Sequence, residues 1–555
     1  MALNRISWGR FGGLNANDQS DTLLYRAFQQ VEGGFQQVYP AEFPRLRNID
    51  FPERAIGKRL GSESLESLVS VMVASEEILK IVEWTTPSTT TRVQVAVGKK
   101  SMYTDQSGAW VRLNDSAAAA YSHAADVTRC SVTAVDNHLI IGLDGANKIQ
   151  VYRSGANLDA ALNNGNTWND SFGGGTSVVT GTWGTGYYIV LEFQQRLVYS
   201  DGSGALQYTD VGQPWDRAAG GVFGCKGNVV GAMPFLPRGA SELLSVLFIS
   251  TTEGPEFLTG FDVTDTVKPM TGSVALNHQC IVALDNWIAY LTTEGGIEGV
   301  NLQDTIDLGR RFKALDGLSG PMDTFSPTNT NHSTKPFGYY DRSRKQALWM
   351  YPDASDSVNN SAIGLDVFIG EPLLGERKEE FERKVRCLWH TIQDGQTWFI
   401  NVYQRRGALV GVLATGLTYT MNSGANDLES LPIDDELEFF DFDGGFPDRI
   451  KNFRRFAPVF RSRGNWNVNL DRYLDRSAYP TGSTITFPQI ATGTAVWDSI
   501  TWDSFTWADA GIAAKADWVE CHAKFFRGRL YNQQAAQDWI LTNATLEYMV
   551  GSRQG

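Results

Sequence analysis

Ser131-Val-Thr-Ala-Val-Asp-Asn-His-Leu-Ile-Ile-Gly-Leu143 is the stretch that decides the fold. Two apolar runs flank Asp136-Asn137, residues that tolerate the backbone of a tight turn, so the stretch reads as a β-hairpin. Lys148-Ile-Gln-Val-Tyr152 comes next as a third short strand. Ala283-Leu-Asp-Asn-Trp-Ile-Ala-Tyr290 repeats the design of Ala134–Ile141: a strand ends at Asp-Asn, the chain turns, and an apolar strand resumes. Working outward, the same unit recurs. Val93-Gln94-Val95-Ala96-Val97 turns at Gly98 into Ser101–Thr104, and Tyr187–Ser200 leads into Ala205–Thr209. Leu244–Ser250 is joined by Pro255–Leu258, Cys280–Leu291 by Gly296–Val300, Pro336–Arg342 by Gln346–Tyr351, and Gln396–Tyr403 by Ala408–Leu413.

Seven units stand roughly 40–60 residues apart, the period of four-stranded propeller blades. One blade cannot bury its two faces alone; blades stacked radially bury them against each other. The sequence therefore predicts an all-β chain with a β-propeller of six or seven blades over residues 66–430. Residues 1–65 read as an N-terminal arm. Ser20 is placed to cap a short helix carrying Leu24, Ala27, Phe28 and Val31, with Gly33-Gly34 stopping it and Pro40, Pro44 and Pro52 breaking the chain beyond. Residues 431–555 read as a further β-domain, or as strands completing the propeller. The mixed-charge stretch Glu376–Lys384 reads as a solvated insertion in a blade.

Composition agrees. The 555 residues are 42% hydrophobic, 12% aromatic and 20% charged, too apolar for wholesale disorder. The 29 Phe, 19 Tyr and 16 Trp suit pleated surfaces, and 55 Gly suit many short turns. Five scattered cysteines with no C-x-x-C pair point to free thiols instead of a disulfide framework or a zinc site. The longest apolar run, about Leu243 to Ile249, is too short to span a bilayer, and the first residues lack a signal-peptide core. The expectation is assembly in a reducing cytoplasm without membrane insertion. A net charge of −14 argues against a phosphate grip and suits a surface that nucleic acid passes without sticking.

Chemistry finds little footing. The six histidines form no H-E-x-x-H or H-x-x-x-H pair, and no Walker A or G-x-S-x-G sequence occurs. No enzyme activity, cofactor or metal is expected. Asp441-Phe-Asp443-Gly-Gly resembles the opening of a calcium loop but lacks the later Glu, so a solvated acidic turn is the preferred reading. Six acids between Asp434 and Asp443 precede six bases between Arg449 and Arg463. Opposite charges at two ends of one surface suit head-to-tail contacts in a ring, with Asp441, Asp443, Arg449, Lys451, Arg454 and Arg455 as the candidate subunit-interface residues. Intrachain pairing is the competing use. Trp497, Trp502 and Trp507 recur every five residues, a step that fits neither helix nor strand and suggests rings anchoring loops or stacking on sugars.

Several stretches in combination resemble a known family. Gly12-Gly-Leu-Asn15, Asn48-Ile-Asp-Phe51 and Gly57-Lys-Arg-Leu-Gly61 are similar to the opening of the tail nozzle and tail hub proteins of short-tailed phages, the tail tubular B-like group. Arg196-Leu-Val-Tyr-Ser-Asp201 with Gln213-Pro-Trp215, Trp287–Ile297, the tryptophan pentads and Leu546-Glu-Tyr548 add to the resemblance. The resemblance implies a structural virion protein located in the tail: a hexameric ring around a DNA channel, joined to the portal–adaptor complex and flanked by fibres or tailspikes. Such a ring gates genome retention and ejection, and DNA passes it without specific binding. The alternative, from the aromatic content, is a carbohydrate-binding or depolymerising propeller at the host surface.

Overall fold

The computed structural model describes residues 3–551 apart from 15–26, 367–384, 489–511 and shorter stretches, the longest of them 170–175, 237–244, 262–266, 314–319 and 462–466. Seven small antiparallel sheets succeed one another along the chain, one for each hairpin unit. Blade one runs from Ile78 to Arg112, blade two from Cys130 to Tyr152, blade three from Ile189 to Gly224 and blade four from Val229 to Pro269. Blade five spans Ile281–Asp307, blade six Phe337–Thr391, and blade seven begins at Asn401. Six of them are four-stranded and the second has three strands. Among the described residues these seven sheets form a β-propeller.

The turns form as their residues dictate. Asp136 and Asn137 both take positive φ, 45° and 58°, between the partners Val135 and His138, which is the two-residue turn whose twist matches the strands. Blade three uses Gln194 and Gln195 in the same way, at 52° and 60°. Alternate residues of a strand face opposite neighbours. Leu139 and Ile141 pack with Val95 and Val97 of blade one, whereas Ile140 packs with Val190 and Tyr199 of blade three. Both faces are dry, so these strands read as continuous apolar runs. Each fully buried Ile, Leu or Val contributes about 1.5–3 kcal/mol, repeated at every interface between blades.

The ring is closed by a strand from far upstream. Ser62–Ser67 is the outermost strand of blade seven, pairing antiparallel with Leu417–Met421. Blade seven then packs on blade one through Tyr403, Val410 and Val412 against Ile78, Ile81 and Ala96.

Strands drawn from both ends of the chain make a second β-domain. Its larger sheet places Leu3–Trp8 antiparallel to Ile540–Val550, which pairs in turn with Lys451–Arg461. Its smaller sheet runs from Ile485–Pro488 through Asn467–Leu474, Phe526–Asn532 and Asp435–Glu438 to Arg45–Arg47. Trp8, Phe28, Phe43, Phe439, Phe453 and Tyr548 belong to the core between them. That core is continuous with Trp287 of blade five and Trp349 of blade six.

Two expectations are corrected. The described strands of residues 1–65 are integral to the second domain and to blade seven, not an arm. The helix expected through Phe28 and Val31 is a β-hairpin, Phe28–Val31 with Gly34–Gln37. Pairing with Leu3–Trp8 overrides the local spacing: a Cβ at Gly34 would lie 2.0 Å from the Arg5 carbonyl oxygen, so only glycine permits this approach. The residues from Ser20 to Arg26, the stretch Glu376–Lys384 and the tryptophan pentads lie outside the described residues.

Candidate functional site

Three of the six candidate interface residues are buried. Asp441 lies beside Arg527 (3.8 Å) and Arg476 (3.9 Å), in a row where Glu438 pairs with Arg527 (3.3 Å) and Glu436 is enclosed by Arg45, Arg47 and Arg529 (3.0–3.4 Å). Asp443 accepts the Gly445 N–H at 2.8 Å, closing its own turn. Lys451 is fully enclosed and donates to the carbonyls of Lys524 (2.9 Å) and Phe446; burial lowers its ammonium to about 8. The acidic half of the segment is therefore consumed inside the second domain, because a buried carboxylate needs a partner more than a surface one does. The expectation that Asp441, Asp443 and Lys451 face another subunit is corrected accordingly. Among the described residues no cluster of three or more His, Cys, Asp or Glu is arranged to hold a metal.

The basic half behaves differently. Arg449 is half-buried with its guanidinium 5.0 Å from the Phe446 ring. Arg454 and Arg455 are both exposed, although neighbours on a strand ordinarily face opposite sides. A bulge between Phe453 and Arg455 produces this. Arg455 stands across from Glu547, which Arg5 also pairs at 2.9 Å, and its other neighbour is Trp518, 61% exposed. This face of the larger sheet thus presents arginines and an open indole ring.

A second cluster, built from the N-terminal motif residues and not expected as a site, joins the two domains. Asn48 adopts a left-handed backbone (φ 55°) and is buried. Its amide donates to the Asp434 carbonyl (2.7 Å) in the second domain and to Thr391 Oγ1 (3.2 Å) in blade six, and its oxygen accepts from Arg59 Nε (2.9 Å). Arg59 forks onto both carboxylate oxygens of Asp427, one at 2.8 Å, and its guanidinium carbon is 4.8 Å from the Trp398 ring. Asp50 pairs with Arg344 (2.7 Å) and His390 (3.4 Å) of blade six, which hold its carboxyl well below the usual range although burial opposes them. Lys58 faces Asp435 at 3.7 Å with neither side chain exposed. Burial pushes the Asp435 carboxyl up to about 7 against the pull of Lys58, and lowers the Lys58 ammonium. Gly61 threads between these pairs; a Cβ there would lie 1.8 Å from the Asn426 carbonyl oxygen.

No family model matches this sequence, and no curated protein matches it. Among solved structures, BBS1N in complex with ARL6DN is similar at 8% identity and a TM-score of 0.37, covering 67% of this chain and all of that one. A chain of the mitotic checkpoint complex is similar at 12% identity and a TM-score of 0.35, covering 67% of this chain and 96% of its own. The computationally designed Ika8 protein is similar at 11% identity and 0.34, with 65% and 99% covered. At these scores the likenesses carry no argument about what the chain does.

Proposed function

We propose that this protein is a structural, non-enzymatic subunit of a short phage tail, a nozzle or hub that assembles into a ring around the DNA channel. In this reading the ring joins the adaptor to the tail tip, stands beside fibres or tailspikes, and gates genome retention and ejection. One observation carries the reading. The residues of the N-terminal resemblance, Asn48, Asp50, Arg59 and Gly61, are the ones that lock the second domain to blades six and seven. Residues devoted to such architectural contacts are what a load-transmitting subunit needs. The ring contact falls on the face carrying Arg454, Arg455 and Trp518, since the acids expected to share it are spent internally.

The test is light scattering with negative-stain microscopy of the purified chain and of Arg454→Glu/Arg455→Glu. The expected result is closed rings for the first and a folded monomer for the second. A wild-type monomer that binds or clears capsule glycans would replace this reading with the carbohydrate-binding one.

A further inference from the structure

The turn Asp443-Gly444-Gly445 helps to shape a cleft of about 330 Å³ in the second domain. Both glycines take positive φ, 62° and 76°, and Asp443 Oδ1 accepts the Gly445 N–H. A Cβ on Gly444 would stand 2.7 Å from the Tyr548 ring, and one on Gly445 would stand 3.1 Å from the Gln30 amide. The glycine pair therefore lets both side chains lie against the turn. Asn4, Gln30, Val31, Phe446, Arg449 and Tyr548 line the cleft, among others. They come from Leu3–Trp8, Phe28–Val31, Ile540–Val550 and the turn segment. Phe28–Val31 is the last strand on its side of the larger sheet among the described residues, so the cleft lies at a sheet edge.

Two donors in this cleft lack an acceptor. Tyr548 is 1% exposed, yet among the described residues its hydroxyl makes no hydrogen bond. Burial and the nearby Asp443 charge push the phenol well above its ordinary range, so it keeps its proton and can donate. Arg449 rests its guanidinium 5.0 Å from the Phe446 ring, and among the described residues no carboxylate pairs with it. The side-chain amides of Asn4 and Gln30 also make no hydrogen bond among the described residues. None of the described lining residues is a carboxylate. The Asp443 charge behind Tyr548 is offset by the Lys451 ammonium, which is held on the carbonyls of Phe446 and Lys524.

A buried hydroxyl without a partner is costly, and an acceptor entering the cleft removes that cost. We propose that the cleft seats a carboxylate side chain from the propeller of a second copy of this chain. The carboxylate meets the Arg449 guanidinium and the Tyr548 hydroxyl, while the amides of Asn4 and Gln30 take the backbone beside it. This inference rests on the ring reading above. Charge selects the occupant: residues 62–430 carry 40 acids against 27 bases, so a neighbouring propeller is the acid-rich surface on offer. A volume at the low end of ligand pockets suits one side chain and its flanking backbone.

The experiment is sedimentation of the full chain over a concentration series. Wild type is expected to assemble. Arg449→Gln and Tyr548→Phe should each need roughly tenfold higher concentration, the worth of a charged hydrogen bond. Both should melt with wild type, since neither polar group has a partner to lose within the chain. Arg449→Lys, which keeps the charge but not the fork, should fall between. Assembly of Arg449→Gln at the wild-type concentration overturns this inference and leaves the tail reading standing. A wild-type chain that stays monomeric overturns the tail reading and the second-copy occupant together. Below the assembling concentration, saturation-transfer NMR should show N-acetylglutamate amide bound and its glutamine counterpart not. Equal signals from the two, or inorganic phosphate binding as tightly as the glutamate, overturn the carboxylate seat itself.

Discussion

Arg59 shows how much one side chain settles here. Its fork onto Asp427 is enclosed, so removing one partner leaves the other charged and dry. Arg59→Met is expected to cost about 3–5 kcal/mol in denaturant unfolding. Arg59→Met combined with Asp427→Leu should cost clearly less than the single change, because no orphan charge remains; equal losses would place the effect in packing. The buried imidazoles give a pH signature. Burial holds His123 at about 4 and His278 at about 3, against an ordinary 6.5. Between these values the unfolded chain binds protons that the folded chain refuses, so this part of the stability is complete above 6.5 and fades as pH falls toward 4. Asp435, raised to about 7 by burial, works in the opposite sense, since its folded form keeps a proton that the unfolded chain has released. The clean measurement is therefore a difference: the slope of Tm against pH between 4 and 6.5 should be shallower in His123→Gln than in wild type.

At the level of strands and turns, the propeller depends on small geometric permissions. Gln195 sits at φ 60° in a two-residue turn while its N–H donates to Glu192 at 2.7 Å. Left-handed backbone costs a side-chain-bearing residue on the order of 1 kcal/mol, so Gln195→Gly is expected to raise thermal stability slightly. Gly61→Ala is the opposite case. It drives a methyl into the Asn426 carbonyl where the closing strand of blade seven begins, and should lower stability by more than about 2 kcal/mol. Gly224→Ala, with nothing within 4 Å, is the control expected to unfold like wild type. A melting point for Gly61→Ala equal to that control would remove the closing strand's entry as a constraint.

Over the whole molecule, charge and connectivity divide the chain unevenly. Residues 62–430 carry 27 bases and 40 acids, whereas the segments on either side carry 21 bases and 22 acids together. Almost all of the net −14 thus belongs to the propeller, and the second domain is nearly neutral with exposed arginines on one sheet face. In the proposed assembly a basic face on one copy would meet the acidic wheel of the next, a heterologous contact that can close into a ring. Assembly through it should weaken as ionic strength rises, read by light scattering across a salt series. Connectivity makes a separate forecast. The second domain draws Leu3–Trp8, Arg45–Arg47 and Ile56–Lys58 from the N-terminal end. Residues 431–555 expressed alone should aggregate through the edge of Ile540–Val550 that Leu3–Trp8 covers in the full chain, and co-expression with residues 1–61 should restore solubility.

The propeller was readable in the sequence because each blade is local: strand, Asp-Asn or Gln-Gln turn and next strand lie within a few residues, and doubly buried strands leave long apolar runs such as His138–Leu143. The count of seven needed the tertiary structure, since the last blade borrows Ser62–Ser67 from roughly 350 positions upstream. The same distance hid the second domain. Nothing in Leu3–Trp8 names Ile540–Val550 as its partner, so the segment read as an arm. The interface residues divided by burial, which local charge pattern cannot report: Asp441 and Lys451 turned inward, while a bulge turned Arg454 and Arg455 out. Local alternation and turn chemistry fix what short segments become; which segments meet depends on contacts that no short window of sequence contains.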